Sequence, residues 1–355
     1  MSARNILIMA GGTGGHIYPG LAVADVLRGQ GWNVTWLGAP GSMEAELVPK
    51  HGYPVAWVNF GGLRGKGLVR KLMLPINLLR ALGQSAAAIF RHRPDVVLGL
   101  GGYITFPGGL MAWLLRRPLV IHEQNSVAGL SNKSLGRLAD RVLSGFPSVL
   151  PKAEWVGNPV RGRIAALPVP AERFTHRSGR LKVLVVGGSL GAKALNECLP
   201  QALALLPESD RPQVTHQTGK QHFEAVQALY AQAGVSAEVC AFLNDMDARY
   251  AAADLVICRS GALTVAELAA AGVASVLVPF PFAVDDHQTG NARFLADHGA
   301  AILLPQSELT PEGLAKLLLE MTRERALAMA EAARKLAKPD AAQQVAQICA
   351  EVAEA

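Results

Sequence analysis

The sequence predicts an α/β protein with two doubly wound domains, each built on a parallel β-sheet. An apolar run, a glycine-rich turn and a helix-like stretch occur in this order twice, about 176 residues apart. The first copy comprises Asn5–Ala10 and Gly11–Gly15, and the second comprises Leu181–Val186 and Gly187–Gly191. Continuous apolar runs of this kind are typical of parallel strands buried on both faces. The length of 355 residues also suits two domains of roughly 150 residues each.

Further strand-like runs follow both openings, with helical segments between most of them. They are Val34–Leu37, Val96–Leu100, Leu119–His122, Val142–Leu143, Val214–Gln217, Glu238–Phe242, Leu255–Cys258, Ser275–Val278 and Ala301–Leu304. This alternation predicts two Rossmann-like domains. Ligands of such sheets bind beyond the carboxyl ends of the strands, so two domains facing each other across a cleft would hold an active site between them.

A segment rich in glycine and proline separates the two halves. It begins with Gly157–Arg161 and continues to Pro168–Pro170, and we interpret it as the linker. We therefore expect a first domain at residues 1–160 and a second at residues 165–339. Residues 340–355 have a helical pattern, and the sequence leaves open whether they pack back on the first domain.

The composition excludes several classes of protein. Half of the residues are apolar and 17% are charged, which indicates compact domains. The net charge of +6 permits anionic partners, but no run of five Lys or Arg occurs, so we expect no nucleic acid partner. No stretch of 18 residues is strongly apolar and free of charge, and we expect neither a spanning helix nor a secretory signal. The four cysteines lack metal or redox spacing, which is typical of reduced thiols in the cytosol.

Both glycine-rich turns are candidate anion sites. Backbone N–H groups converge where such a turn opens a helix, and the helix dipole favours negative charge there. A tight connection without a ligand is the alternative for each turn taken alone. A dinucleotide site is disfavoured, because Val34–Leu37 runs into Gly38 without an acidic residue for a ribose. Gly15 is moreover followed by His16 rather than by a spaced third glycine.

His16 lies where the first predicted helix begins. A neutral imidazole beside the partial positive charge of a helix N-terminus suits a general base near pH 7. His16 is therefore the candidate catalytic residue, with a capping or ligand-orienting role as the alternative.

A polar cluster follows the strand Leu255–Cys258 in the second half. Ser260 and Gly261 can open a helix whose free N–H groups point at a ligand. Glu267 lies about one turn into that helix, where its carboxylate could accept both hydroxyls of a ribose. An acid placed favourably in a first helical turn is the alternative interpretation.

A second polar cluster follows the strand Ser275–Val278. Gln288 and Asn291 lie on one face of a predicted helix, and amides of this kind recognise sugar hydroxyls. Capping of the same helix by Asp285 or Asp286 is an alternative that can hold at the same time.

Two stretches are candidates for contact with an anionic membrane surface. Leu63–Ile76 mixes apolar residues with lysine and arginine, and Trp113–Arg117 adds an aromatic residue and two cations. Apolar residues continue at helical spacing through Leu79–Phe90, where we favour packing in the core. Leu63–Ile76 is therefore the preferred membrane candidate.

Seven segments, in order along nearly the whole chain, match a known family. They are Gly11–His16, Gly99–Tyr103, His122–Asn125, Gly157–Arg161, Gly187–Ser189, Arg259–Glu267 and Gln288–Asn291. In these segments the chain closely resembles the peptidoglycan glycosyltransferases that add N-acetylglucosamine to undecaprenyl-diphospho-N-acetylmuramoyl-pentapeptide. The resemblance implies the GT-B type of fold, with two Rossmann-like domains and the donor held mostly by the C-terminal half. It also implies UDP-N-acetylglucosamine as donor, the lipid-linked muramoyl-pentapeptide as acceptor, and an inverting transfer that needs no bound metal or other cofactor.

The resemblance also implies roles for individual residues. From the first domain, the cleft would be lined by Thr13, Gly14, Gly15 and Asn125. In the second domain, the diphosphate would be contacted by Arg161 and Ser189, and the phosphates and sugar by Ala262, Leu263 and Thr264. The uracil would meet the backbone of Leu243, the ribose would meet Glu267, and the sugar would also meet Gln288. His287 stands where some members have a second glutamine. The resemblance therefore predicts the nucleotide of the donor more firmly than its sugar.

In such a reaction the 4-hydroxyl of the acceptor attacks the anomeric carbon and displaces UDP. Helix N-termini and Arg161 would stabilise the departing diphosphate without a metal. A lipid-linked acceptor implies a peripheral position at the cytoplasmic face of the inner membrane. Two alternatives stay open: a UDP-hexosamine 2-epimerase, which shares the fold and donor without a lipid acceptor, and a non-catalytic nucleotide-sugar-binding protein.

Overall fold

The computed structural model describes residues 3–61, 73–188 and 190–354. The chain forms two compact units. Unit 1 comprises Met1–Val160 together with Lys338–Ala355, and unit 2 comprises Arg161–Ala337.

The described part of unit 1 contains one sheet of seven parallel strands. The strands are β1 (Asn5–Ala10), β2 (Asn33–Gly38), β3 (Val55–Trp57), β4 (Val96–Gly101), β5 (Leu119–Glu123), β6 (Arg141–Ser144) and β7 (Glu154–Trp155). The helices before unit 2 are α1 (Gly14–Gly29), α2 (Met43–Lys50), α3 (Leu74–His92), α4 (Thr105–Leu114) and α5 (Leu130–Leu135). The strand order is β3-β2-β1-β4-β5-β6-β7, which is the doubly wound order with one additional edge strand.

Strand β1 shows why this sheet is buried on both faces. Ile6 and Ile8 belong to one apolar cluster, whereas Leu7 and Met9 belong to another. Successive side chains of a strand point to opposite faces, so the two clusters lie on opposite sides of the sheet. All four side chains are at most 1% exposed, which explains the continuous apolar run in the sequence.

Unit 2 repeats this architecture with six parallel strands in its described part. The strands are β8 (Lys182–Val186), β9 (Gln213–Gln217), β10 (Glu238–Cys240), β11 (Leu255–Cys258), β12 (Ala274–Leu277) and β13 (Ala301–Leu303). The helices are α6 (Gly162–Ala165), α7 (Pro170–Phe174), α8 (Lys193–Ala204), α9 (Phe223–Gln232), α10 (Met246–Ala252), α11 (Ala262–Ala271), α12 (His287–Ala296), α13 (Pro311–Glu320) and α14 (Arg323–Lys335). The strand order is β10-β9-β8-β11-β12-β13.

These two sheets confirm the predicted α/β class with two doubly wound, Rossmann-like domains. The prediction missed the short edge strands β3 and β7. It also extended one strand to Phe242, whereas β10 ends at Cys240. The segment interpreted as a linker contains the two short helices α6 and α7.

The last helix of the chain, α15 (Ala341–Glu354), belongs to unit 1. Its residues Val345, Ala346 and Cys349 are fully buried in the cluster that contains Ile6 and Ile8. The helix also packs against α1. Full burial of a valine or isoleucine side chain contributes about 1.5–3 kcal/mol. The end of the chain therefore completes one face of the first sheet.

We expect Val345→Asp to lower the free energy of unfolding of unit 1 by about 3 kcal/mol or more, because it buries a carboxylate in an apolar cluster. All five tryptophans lie between residues 32 and 155, so tryptophan fluorescence during urea unfolding reports on unit 1. Gln344→Asp, at an exposed position of the same helix, is the matched control. Equal unfolding midpoints for the two variants would contradict the packing of α15.

Candidate active site

In both units the candidate residues follow the carboxyl ends of parallel strands. The first glycine loop, Gly11–Gly15, follows β1, and Gln124 and Asn125 follow β5. In unit 2 the second glycine loop, Gly187–Gly191, follows β8, and α11 begins shortly after β11. Parallel strands bring these loops together at one edge of each sheet.

The first glycine loop opens α1 directly. Gly12 has a φ of +89°, a conformation that glycine adopts without a steric penalty. Thr13 is the extended N-cap residue, and its side chain makes no capping hydrogen bond. Among the described residues, the N–H groups of Gly14 and Gly15 find no protein acceptor. These two donors can therefore bind a ligand.

Glu44, which the sequence analysis missed, is a fully buried carboxylate packed against this loop. Its oxygens accept hydrogen bonds from the N–H of Gly12 at 3.1 Å and from the hydroxyl of Tyr103 at 3.4 Å. A Cβ atom on Gly11 would lie 2.8 Å from the same carboxylate, which explains the glycine there. The negative charge of Glu44 opposes a second anion at this loop. Of the two expected anion sites, the first is thus less favourable for a diphosphate.

His16 makes a hydrogen bond that its sequence neighbours do not indicate. Its Nδ1 atom lies 2.8 Å from Oε1 of Gln124. The amide nitrogen of Gln124 lies 2.9 Å from Nδ1 of His122, whose Nε2 atom lies 2.9 Å from the carbonyl oxygen of Gly157. Burial lowers the pKa of His122 to about 4, so this ring is neutral at physiological pH. The candidate base is therefore joined to a chain of buried, uncharged groups.

Asn125 is held in place by the carboxylate of Glu123. Its backbone and side-chain nitrogens both donate to Oε1 of Glu123, at 2.9 and 3.3 Å. The other carboxylate oxygen accepts from the N–H of Gly129 at 3.1 Å and from the Asn132 amide at 2.9 Å. Glu123 is 1% exposed. The loop after β5 is thus organised around one buried acid, which fixes Asn125 at the carboxyl edge of the sheet.

The second glycine loop is held by an uncharged side chain. The N–H of Gly188 donates to Oε1 of Gln217 at 3.0 Å, and Nε2 of Gln217 donates to the Gly188 carbonyl at 2.9 Å. Gln217 therefore accepts a hydrogen bond from a backbone N–H of the second glycine loop, as Glu44 does from the first glycine loop. Helix α8 begins only at Lys193, beyond the loop, so the expectation that both loops open a helix in the same way is wrong.

Two further predicted residues follow β8 and β10 in the sequence. Ser189 lies outside the described residues. Leu243 is buried in the segment after β10. Gln217 also donates to the carbonyl of Ala241 at 3.1 Å, so one amide joins the segment of Leu243 to the second glycine loop.

The N-terminus of α11 is a candidate anion site in the described part of unit 2. Gly261 is its N-cap residue, with no side chain to accept a hydrogen bond. Within the part of the chain that the structure describes, the N–H groups of Ala262, Leu263 and Thr264 have no acceptor. Three such donors at the positive end of a helix dipole bind phosphate well.

Gln288 and Asn291 join α12, through hydrogen bonds to Ser260, to the segment that precedes α11. Asn291 is fully buried and its amide donates to the Ser260 carbonyl at 3.1 Å, so the expectation that it recognises a sugar hydroxyl is wrong. Ser260 donates its hydroxyl to the Gln288 carbonyl at 2.8 Å. The side-chain oxygen of Gln288 accepts from the N–H of Phe280 at 2.9 Å, which orients this half-buried amide.

The start of α12 has an unusual backbone. Asp285 and Asp286 both have positive φ values, of 53° and 49°. Such conformations cost about 1–3 kcal/mol outside glycine and gather at functional sites. Asp286 is the N-cap residue, but its side chain makes no capping bond and instead accepts from the Thr289 hydroxyl at 2.7 Å. The expected capping role of these acids is therefore wrong. His287, the first residue of α12, lies with Nδ1 2.7 Å from the Val284 carbonyl.

Arg161 and Glu267 bind each other in this structure. Two nitrogens of Arg161 lie 2.9 and 2.8 Å from Oε1 of Glu267, and Oε2 accepts from the Tyr250 hydroxyl at 3.4 Å. Burial raises the pKa of Glu267, and the charge of Arg161 partly offsets that effect. The residue expected at the ribose and the residue expected at the diphosphate are thus joined to each other.

The membrane candidates lie in unit 1. Most of Leu63–Ile76 is outside the described residues, which resume at Met73. On α3 the side chains of Ile76, Leu79 and Phe90 are 59%, 69% and 64% exposed. The preferred interpretation of Leu79–Phe90 as a core stripe is therefore wrong for Leu79 and Phe90, because the buried face of α3 consists mainly of small residues. No helix in the described ranges is long and apolar enough to cross a bilayer.

Comparison with protein families matches both units. The N-terminal domain model of glycosyltransferase family 28 matches residues 6–144, and its C-terminal domain model matches residues 182–345. The chain belongs to glycosyltransferase family 28. Membership in family 28 confirms the prediction of a glycosyltransferase with the GT-B type of fold, and with it the resemblance that the seven segments indicated.

Relatives within the family match the chain along its whole length. A protein from Dechloromonas aromatica is 62% identical over 351 residues, covering 99% of each chain. One from Aromatoleum aromaticum is 63% identical over 350 residues, covering 99% of this chain and 98% of the relative. Both are named UDP-N-acetylglucosamine--N-acetylmuramyl-(pentapeptide) pyrophosphoryl-undecaprenol N-acetylglucosamine transferase. The crystal structure of MurG from Acinetobacter baumannii has a TM-score of 0.88 and 45% identity, covering 98% of this chain and 99% of that one.

Proposed function

We propose that this chain transfers N-acetylglucosamine from UDP-N-acetylglucosamine to the 4-hydroxyl of undecaprenyl-diphospho-N-acetylmuramoyl-pentapeptide. The observation that carries the proposal is the identity of 62%, over 99% of both chains, with a relative named for this transfer. The acceptor oxygen forms a bond to the anomeric carbon with inversion, the bond from that carbon to the diphosphate breaks, and UDP leaves. The acceptor's proton passes to a base of the enzyme.

Unit 2 supplies the groups that suit the donor. The three unpaired N–H groups at the start of α11 suit the diphosphate, and in the leaving step they stabilise the charge that develops on UDP. The described part of the second glycine loop lies at the same sheet edge, where Gln217 adds no negative charge. In this proposal Ser189 contacts the diphosphate. In this proposal Arg161 binds the diphosphate, Glu267 the ribose, the backbone of Leu243 the uracil, and Gln288 the sugar.

Unit 1 supplies the groups that suit the acceptor. Gly14 and Gly15 offer N–H donors, and Thr13 and Asn125 offer polar side chains at the same sheet edge. His16 is the only histidine of the first glycine segment and stands in the first turn of α1. A neutral imidazole beside the positive end of a helix is suited to take the proton of the acceptor hydroxyl.

The transfer is tested by incubating the protein with UDP-N-acetylglucosamine and the lipid-linked muramoyl-pentapeptide. We expect one UDP released for each lipid-linked disaccharide formed, and neither product when the acceptor is left out. Conversion of the donor alone into its 2-epimer would instead identify a UDP-hexosamine 2-epimerase. Donor binding without turnover of the lipid acceptor would identify a nucleotide-sugar-binding protein.

Glu267→Gln tests the proposed ribose contact. The amide keeps the shape but loses one acceptor and the charge, so we expect the affinity for UDP to fall about tenfold. The affinity for 2′,3′-dideoxy-UDP should not fall, because that ligand lacks the hydroxyls and the variant has no Glu267 charge to leave uncompensated when Arg161 binds the diphosphate. Calorimetric titration measures both, and Glu238→Gln, in the surface pair with Arg249, is the control. An equal loss for both ligands would remove Glu267 from the ribose.

We also propose that unit 1 binds an anionic membrane surface, which would place the enzyme peripherally at the cytoplasmic face of the inner membrane. Helix α3 packs against α4, and both expose large apolar side chains. Ile76 and Leu79 are exposed on α3, and Trp113 and Leu114 are 47% and 54% exposed on α4. Exposed arginines, Arg80 and Arg116 among them, stand on or beside these helices. Apolar side chains beside cations are typical of surfaces that enter an anionic leaflet.

Ile76→Glu combined with Leu79→Glu should weaken binding to vesicles of anionic phospholipid about tenfold or more, because two apolar anchors become negative charges. Affinity for UDP should not change. Leu205→Glu with Leu319→Glu is the matched control, since these leucines are 55% and 52% exposed on unit 2. Co-sedimentation with vesicles measures the effect, and equal binding by both double variants would remove the proposed surface.

A further inference from the structure

We infer that Gln124 is a positioning residue that fixes which ring nitrogen of His16 carries hydrogen, and so leaves Nε2 as the nitrogen that takes the acceptor's proton. The inference deepens the proposed function and rests on it for the reaction itself. The order of the hydrogen bonds, however, follows from the described residues of unit 1 alone.

The orientation of the Gln124 amide is set by a backbone carbonyl. Its Nε2 atom lies 3.0 Å from the carbonyl oxygen of His122 and 2.9 Å from Nδ1 of the same residue. A carbonyl oxygen only accepts hydrogen bonds, so the amide atom that faces it must be the NH₂ group. The reversed amide would place two oxygens against each other in a buried position. The oxygen of Gln124 therefore faces His16, as its distance of 2.8 Å to Nδ1 indicates.

The protonation of both histidine rings follows from this orientation. The oxygen of Gln124 can only accept, so Nδ1 of His16 must carry the hydrogen. A neutral imidazole has one N–H, which leaves the lone pair of His16 on Nε2. At the other end, Nδ1 of His122 accepts from the amide, so its Nε2 carries hydrogen and donates to the Gly157 carbonyl at 2.9 Å. Every N–H donor in this series of hydrogen bonds, from His16 to Gly157, then meets an acceptor.

Burial keeps this arrangement in a single state. Gln124 is 1% exposed and His122 is fully buried. Burial lowers the pKa of His122 to about 4, so it does not acquire the second N–H that would oppose the Gln124 amide. Asn158 donates to the Gln124 carbonyl at 2.9 Å, and Asn132 donates to the His122 carbonyl at 3.2 Å. The backbone on both sides of the amide is thus fixed as well.

The acidic groups nearby are already engaged by other donors. The carboxylate of Glu123 accepts from Asn125, Gly129 and Asn132. The carboxylate of Glu44 accepts from Gly12 and Tyr103. In the described residues, the side chain that contacts Nδ1 of His16 is Gln124, and it is uncharged. Control of the His16 ring therefore lies in a neutral hydrogen bond rather than in an adjacent carboxylate.

The first test reads the protonation directly, without turnover. Protein labelled with ¹⁵N-histidine is examined near pH 8, where an ordinary histidine is neutral, and the signals of His16 are assigned by their loss in His16→Asn. We expect hydrogen on Nδ1 of His16 in the wild-type protein. In Gln124→Met, which removes the acceptor, we expect it to move to Nε2. Hydrogen on Nε2 in the wild-type protein would overturn the inference.

The second test separates the reaction from binding. Gln124→Met should lower kcat on the order of 100-fold, the size of a general-base contribution, with KM for the donor changed less than about twofold. Gln343→Met, at an exposed position of α15, is the control for the same chemical change.

The outcomes distinguish the inference from the proposed function. Wild-type kcat in Gln124→Met, or an Nδ1–H form that persists in this variant, would overturn the inference. Absence of any disaccharide product from the wild-type protein would contradict the proposed function, whereas the state of the His16 ring would still be read from the spectra.

Discussion

Every paired strand in the described sheets runs parallel to its neighbours, and the rest of the structure depends on this constraint. Parallel strands need crossover connections, which place helices on both faces and bury the central strands on both sides. The same pairing collects the carboxyl ends of the strands at one edge of each sheet. Residues as distant in sequence as His16 and Gln124 can therefore meet within hydrogen-bonding distance. Both the apolar runs and the polar site thus follow from the direction of the strands.

The fold could be predicted because its strongest signals are local. Asn5–Ala10 and Leu255–Cys258 were predicted to the residue, since a strand buried on both faces is a continuous apolar run bounded by polar residues. The edge strands β3 and β7 are only three and two residues long, and they carry no such run. The apolar repeat of α3 predicted a helix but not its environment. Periodicity shows which residues share a face, and only the neighbouring elements determine whether that face is covered.

The site was predicted less completely, because its partners are joined over long distances in sequence. Glu44 contacts the first glycine loop across 32 residues, and Gln124 contacts His16 across 108. Nothing near Glu44 distinguishes it from an ordinary acid in a first helical turn. Likewise, Arg161 and Glu267 were each expected at a different part of the donor, whereas the structure pairs them across 106 residues. In the proposed roles, a ligand that carries both a diphosphate and a ribose gives Arg161 and Glu267 each a new partner. A ligand with only one of these groups leaves the charge of either Arg161 or Glu267 uncompensated.

Helix α15 has a consequence for synthesis of the chain. Unit 2 ends at Ala337, before α15 begins, so all of unit 2 is synthesised while the first sheet still lacks this covering. At about 5–20 residues per second, the stretch after Val160 takes roughly 10 to 40 s to make. During that interval the face carrying Ile6 and Ile8 lacks Val345 and Cys349 and is open to water or to a chaperone. The first domain therefore receives its last element only after the second domain has been synthesised.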